Sequence, residues 1–433
     1  KINYINNVMR EISFDNLKKF LNKNNSSKNN QLVRSSVSKI IEDIKKNGDK
    51  AVLKYVKKFE NKKATIDNLV IKPSTLKKAY ESISKAQRQA LTLAYKRIHY
   101  YHSRQVKKNY KFTDKLDTTF SIQWNPIENV GLYVPGGLAS YPSTVLMTSI
   151  PAKIAGVKNI MISVPSKDGI VSNLTLAAAH LCKVNKVYNL GGAQAIASFA
   201  FGTETIQKAF KVFGPGNQFV AEAKKQLFGT IGIDLPAGPS EILVLGDKFS
   251  NPSFIASDIL AQAEHDPNAK TYLVSDSKNL IKAVILKLQD MQKHYQFKNA
   301  NESLKNFSFA IYAKNLTKMF EISNFIAPEH LQVHLKNSSL VEKNIINAGS
   351  VFIGEQNTVA FGDYTMGTNH VLPTDQSAKY SSGLSVDDFV KKTVFVKAGK
   401  KTLSKISNET IELAKSEGLD AHALSIEIRS SKS

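Results

Sequence analysis

Lys186-Val-Tyr-Asn-Leu190-Gly-Gly-Ala-Gln194-Ala-Ile-Ala-Ser-Phe-Ala-Phe201 is the stretch on which the fold turns. Its first five residues form a short apolar strand, two glycines follow, and 193–201 is a compact apolar helix. A strand that passes through a glycine turn into a helix is the building unit of parallel α/β architecture. The unit recurs on both sides, with strands at 160–164, 242–245 and 271–274 alternating with helices at 143–155, 173–184, 219–227 and 254–265. A further stretch, 307–354, reads strand, helix, strand, helix, strand. A chain of 433 residues with 42% hydrophobic content can bury more than one such core.

Outside this body the period changes. Residues 1–28 form a small arm, a helix at 13–22 fading into an Asn/Ser/Lys linker at 24–30. Helical periodicity covers 33–46 and 49–59, with Gly48 as a stop between them, and then 74–105. A hairpin-like pair, 120–124 and 130–134, follows. The tail, 386–429, reads as helix, strand and two helices. There is no internal repeat.

The formal charge of +23 could signal a nucleic-acid or membrane-surface partner. Yet no three Lys or Arg stand adjacent, and pairs such as Lys57-Lys58 and Lys400-Lys401 are scattered, so the charge reads as solvated faces. The longest uncharged run, 129–152, carries Pro135, Pro142, Pro151 and three glycines and is not a membrane helix. The single cysteine, Cys182, rules out an internal disulfide framework and lies in an apolar helix as a small core residue. With no apolar amino-terminal segment of signal type, a reducing, cytoplasmic location is expected.

Three glycine- and proline-rich turns lie at strand ends, where α/β folds bind ligands: Tyr133-Val-Pro-Gly-Gly137, Leu190-Gly-Gly-Ala-Gln194 and Phe213-Gly-Pro-Gly-Asn217. Their backbone N–H groups could face a pyrophosphate, but neither G-x-G-x-x-G nor a P-loop occurs, and plain turns remain the alternative. In Asp258-Ile-Leu-Ala-Gln262-Ala-Glu-His265-Asp-Pro267, Gln262 and His265 stand three apart on one face of a helix that Pro267 closes. An amide oxygen and an imidazole there can share a small cation such as zinc, or form an ordinary solvated helix end. Ala327-Pro-Glu329-His330-Leu331 sets a carboxyl beside an imidazole, suited to acid/base work or to a surface turn. Gly362-Asp363-Tyr364 with His370, and Glu417 with His422, add further acid and imidazole pairs.

Together with Pro236-Ala-Gly-Pro-Ser240-Glu241, Thr368-Asn-His370-Val-Leu-Pro-Thr374 and Ser382-Gly-Leu-Ser-Val386, these motifs resemble histidinol dehydrogenases, in family order from about residue 30 to residue 429. The resemblance implies two incomplete Rossmann-like α/β domains, one inserted in the other, with small terminal domains and an intertwined homodimer whose sites are shared between subunits. The implied limits are an arm at 1–28, a main body at 29–132 and 241–380, an inserted NAD-binding domain at 133–240 and a small domain at 384–433. It implies oxidation of L-histidinol to L-histidine with NAD and one zinc ion per subunit. Gln262, His265, Asp363 and His422 would hold zinc, and Glu329 and His330 would be the acid/base pair. Ser240, His370 and Glu417 would join His330 and the zinc residues around the substrate; Tyr133, Gln194 and Asn217 would contact NAD. The chain departs at Val359, where many members carry a glutamate. Cys182 lies outside every motif, so no thiohemiacetal is expected. Two rivals from other classes are a zinc hydrolase using Glu329 and a basic binding module without turnover.

Overall fold

Ile242 to Leu245 is apolar at every position, the mark of a strand covered on both faces. In the computed structural model, which describes residues 8–23, 29–136, 140–235, 238–295 and 297–430, the strand Glu241–Gly246 is buried throughout. It lies inside an all-parallel sheet in the order Arg10–Glu11, Ser308–Tyr312, Lys270–Ser275, Glu241–Gly246, His330–His334, Ser350–Ile353. The second six-stranded sheet runs Val70–Ile71, Lys186–Asn189, Asn159–Val164, Asn129–Tyr133, Lys211–Phe213, Gly232–Ile233. It is parallel except at Val70–Ile71, which pairs antiparallel with Lys186–Asn189. Helices cover both sheets, so the expected α/β class with two parallel units holds.

Several local readings change. The strands near 120 and 130 are not a hairpin. Asn129–Tyr133 is apolar on both faces and enters the centre of the parallel sheet, whereas Thr119–Pro126 pairs antiparallel with Tyr110–Thr113 and Val390–Lys397 in a small half-exposed sheet. The helix expected at 74–105 is two, Pro73–Ser82 and Lys85–His102. Ser84 breaks it by forming a capping box: its hydroxyl accepts from the Gln87 N–H while the Gln87 side chain accepts from its own. Gly48 interrupts Asn29–Phe59 as expected, at φ 49°. The first tail helix is a single 3₁₀ turn, Val386–Phe389. The linker stretch 24–28, Gly137 of the first glycine motif and Pro236-Ala237 lie outside the described residues.

The packing of 29–105 differs from the domain limits expected above. Helix Asn29–Phe59 packs on Gly192–Phe201 and Gln218–Leu227, Pro73–Ser82 on Asn173–Leu181, and Lys85–His102 on Pro142–Ile154. Val37, Val52 and Tyr55 share a core with Tyr133, Ile196 and Val212 of the inserted segment, not with the sheet at 241–353. The amino-terminal arm instead completes that other sheet: Arg10–Glu11 pairs with Ser308–Tyr312, and Leu17 and Leu21 pack with Tyr272 and Phe309. Apolar periodicity shows which faces are buried but not against which sheet.

A buried ion pair closes the second sheet. The Lys224 side chain, 1% exposed, donates to Gly214 O and Asp234 Oδ1, both at 2.5 Å, and the Gly214 N–H donates to Asp234 Oδ2 at 2.6 Å. Removing the cation leaves a carboxylate buried without its counter-charge. We expect Lys224→Met to cost about 3–5 kcal/mol, read as a lower denaturant midpoint with unchanged slope, and Lys224→Met/Asp234→Asn to recover part of it. A midpoint unchanged in the single variant would rule this out.

Candidate active site

The two sheets turn unlike edges toward one another. From the second sheet come the carboxyl ends of strands: Tyr133 closes Asn129–Tyr133, and the turns at Gly191-Gly192 and at Gly214 to Asn217 follow Lys186–Asn189 and Lys211–Phe213. From the first sheet come the amino ends, with Ser240 just before Glu241–Gly246 and His330 opening His330–His334. Between them is a cleft of about 990 Å³. Nine of the residues singled out from sequence line it: Tyr133, Gln194, Asn217, Ser240, His265, Glu329, His330, Asp363 and His370.

On the glycine-turn wall, the Tyr133 hydroxyl accepts the Gly192 N–H at 3.1 Å, and burial pushes that phenol up to about 12. Glu60, which no motif flagged, holds the same turn: its Oε1 accepts from the Gly191 N–H and from Gln194 Nε2, each at 3.0 Å. Burial raises its carboxyl above the ordinary range, against these hydrogen bonds. Asn217 caps Gln218–Leu227, its Oδ1 accepting from Phe219 and Val220. Glycine is required at 214: φ is 108° and a Cβ would run into the Tyr133 carbonyl.

On the opposite wall, helix Leu316–Ile326 ends at Ala327, a left-handed cap whose N–H donates to the Ser323 carbonyl, and Pro328 cannot continue the helix. The chain then turns so that Glu329 and His330 are both buried at the strand start. Glu329 Oε2 accepts the Glu241 N–H at 2.9 Å, and His330 Nδ1 donates to the Glu241 carbonyl at 3.3 Å, which leaves Nε2 as the basic nitrogen. Burial lowers His330 to about 4, so its imidazole is neutral at working pH. Burial, reinforced by the carboxylates of Glu241, Asp363 and Asp375, raises Glu329 well above the usual range, although the Glu241 N–H opposes this. An imidazole kept neutral by burial therefore sits beside a carboxyl that burial holds well above the usual carboxylate range.

His265 lies two residues past the end of its helix, which runs Pro252–Ala263 rather than to 265; Glu264 is the cap. Its Nε2 stands 3.9 Å from Asp363 Oδ2. His370 donates from Nδ1 to the Asp363 carbonyl at 3.1 Å, and burial lowers its pKa. Gln262 is buried behind this corner, its side-chain nitrogen without a partner. Glu417 and His422 are not brought here: both are exposed on the tail. Among the described residues, no three His, Cys, Asp or Glu side chains converge as a metal-holding group. Val359 opens helix Val359–Tyr364 and is buried in the core of the first sheet's unit, where a glutamate would have no place without rearrangement.

Two parallel α/β units that close a cleft over a buried carboxyl and imidazole have the form of an enzyme acting on a small-molecule substrate. Comparison with known proteins narrows the class. The family described as histidinol dehydrogenase matches residues 23–430. Histidinol dehydrogenase of Agrobacterium fabrum is 44% identical over 398 residues, 92% of each chain, and that of Clostridium acetobutylicum 43% over 425 residues, 98% of each. The crystal structure of histidinol dehydrogenase from Elizabethkingia anophelis superposes with a TM-score of 0.88 at 36% identity, covering 92% of each chain. The chain belongs to the histidinol dehydrogenase family, oxidoreductases that catalyse the final step of histidine biosynthesis. No helix among the described residues is long and apolar enough to cross a membrane.

Proposed function

We propose that this chain oxidises L-histidinol to L-histidine through L-histidinaldehyde, using two molecules of NAD and one zinc ion per subunit of a homodimer. The observation that carries the reading is the buried Glu329 and His330 pair, set in one cleft between the glycine turns and the His265–Asp363 corner. Zinc would suit that corner chemically, since imidazole and carboxylate are its usual nitrogen and oxygen ligands and His265 and Asp363 already face each other there. The unpartnered Gln262 nitrogen fits an amide whose other orientation, oxygen outward, a cation would select. Tyr133, Gln194 and Asn217 would contact NAD, and Ser240 and His370, with Glu417, the substrate.

When bound, NAD would accept the hydride of each oxidation, and zinc at the His265–Asp363 corner would serve to hold the substrate in register. The rest falls to side chains. His330 Nε2, neutral because it is buried, takes the hydroxyl proton as hydride leaves. Glu329 then takes a proton from the water that adds to the aldehyde, since only the hydrate has a second hydride to give. His330 gives its proton up to solvent between the two oxidations, as a pKa lowered by burial favours, and then takes the hydroxyl proton of the hydrate as the second hydride leaves. The deciding assay is NADH absorbance on adding L-histidinol, before and after zinc removal: no NADH at any zinc level would end the proposal.

A second expectation concerns the metal alone. His265→Ala should bind less than a tenth of the zinc that the wild type retains after dialysis, by elemental analysis, with an unchanged circular dichroism spectrum. Chelation should abolish turnover and zinc restore it. Full activity in a verified metal-free sample would refute the assignment.

A further inference from the structure

Glu241 is a charged residue that opens an apolar strand and is 2% exposed. No motif reading gives it a task. Its main chain touches both members of the acid/base pair: the N–H donates to Glu329 Oε2 at 2.9 Å, and the carbonyl accepts from His330 Nδ1 at 3.3 Å. Its side chain is held from the other direction. Oε1 accepts the Asp375 N–H at 2.5 Å, and the Gln376 N–H also bonds to the carboxylate. Asp375 and Gln376 are successive non-glycine residues with φ of 50° and 65°. Such a pair turns neighbouring N–H groups inward to form an anion-binding nest, a conformation that persists only when its surroundings enforce it.

The same clasp grips the preceding turn. The Lys270 N–H donates to the Ser240 carbonyl at 2.9 Å, the Lys270 ammonium pairs with Asp375, and the Gly238 N–H donates to Thr374 Oγ1 at 2.6 Å. Lys270 and Glu241 face each other in register across two parallel strands. The titratable groups around the Glu241 carboxyl are thus Lys270, Asp375, Glu329 and the buried Tyr272; burial moves the carboxyl up to about 7, against the pull of Lys270.

We propose that Glu241 is a positioning residue: its carboxylate, seated in the Asp375–Gln376 nest, fixes the strand start whose backbone aims Glu329 and holds His330 in the tautomer with Nε2 free. The proposal rests on Glu329 and His330 being the acid/base pair. In Glu241→Gln the side-chain oxygen still accepts one nest N–H, but the amide turns N–H against the other, and Lys270 keeps only Asp375 as a nearby negative charge. The pair shifts without losing any atom that meets substrate. A misplacement of about 1 Å at reacting groups costs on the order of 100-fold in rate.

The test uses the full-length, zinc-loaded protein with histidinol and NAD. Glu241→Gln should lose about 10- to 100-fold in kcat, with KM for both ligands within about threefold of wild type. Gln376→Gly, which accepts the left-handed φ and keeps the nest, should match wild type. Gln376→Val, which resists that φ, should lose kcat as Glu241→Gln does, although the Gln376 side chain reaches only Lys379. If Glu241→Gln fails to fold, the valine and glycine variants carry the test. Folded Glu241→Gln or Gln376→Val enzyme with kcat within twofold of wild type overturns the proposal, as does loss of kcat, KM and melting temperature together. Glu329→Gln and His330→Ala run alongside: if they stay active the acid/base reading has failed, and if only Glu241→Gln stays active this inference alone has.

Discussion

Supplied L-histidinaldehyde should be oxidised about 10²- to 10⁴-fold more slowly by Glu329→Gln than by wild type, the range typical for loss of a general base. The first oxidation of histidinol survives better in the same variant, measured as NADH formed in a single turnover. The reason is positional. Glu329 is anchored through Oε2 on the Glu241 N–H and lies 3.5 Å from His330 Nδ1, whereas the free Nε2 of His330 is what can meet the alcohol. His330→Ala therefore damages both oxidations. The Gln variant should also lose whatever part of the acid limb of the aldehyde reaction belongs to Glu329: with its pKa raised by burial, the wild-type carboxyl becomes protonated, and useless as a base, at a higher pH than an exposed carboxyl would. Equal losses in both variants at both steps would show that the two roles are not divided.

Mixing two nearly dead enzymes should restore roughly a quarter of wild-type activity. Glu417 and His422 stand exposed on a tail whose helices, Lys400–Ser416 and Asp420–Ser430, pack on each other and leave Leu413, Leu419 and Leu424 exposed. His422 stands outside its own cleft's lining, and the apolar tail face suits a second copy of the chain. In the proposed two-fold arrangement each cleft would take His422 and Glu417 from its partner. A Glu329→Gln chain and a His422→Ala chain each destroy every site in their own homodimers. Their heterodimer joins the intact body of one to the intact tail of the other at one site in two, and random exchange makes about half the dimers mixed. Activity that stays at the level of the parents after exchange, verified by mass spectrometry of the mixed dimer, would place the tail in its own site.

The α/β class was legible because Ile242 to Leu245 and Lys186 to Leu190 are short apolar runs followed by helices. The cleft was largely legible because its residues sit in turns where proline and glycine fix the backbone. Distribution between the sheets was not. Nothing in the pattern of Val37, Val52 and Tyr55 states which sheet they cover, and the burial of Asn129–Tyr133 is decided by neighbours more than 25 residues away in Asn159–Val164. Glu60 was invisible because its role depends on Gly191 and Gln194, over 130 residues further on. Ser84 was missed for a local reason: a Ser with Gln three residues later is a start signal, but here it lies inside an unbroken helical pattern.

Because the two sheets meet with unlike edges, the cleft is electrically polarised. On one wall, helices Gly192–Phe201 and Gln218–Leu227 begin, presenting partial positive charge at the glycine turns; on the other, Pro252–Ala263 and Leu316–Ile326 end, presenting partial negative charge beside His265 and ahead of Glu329. A molecule carrying phosphates at one end and a cation bound at the other side would each find the wall of opposite sign. The backbone alone would thus favour one orientation of such a ternary arrangement before any side chain is chosen, and Lys39 and Lys58, which also line the cleft, add positive charge to it.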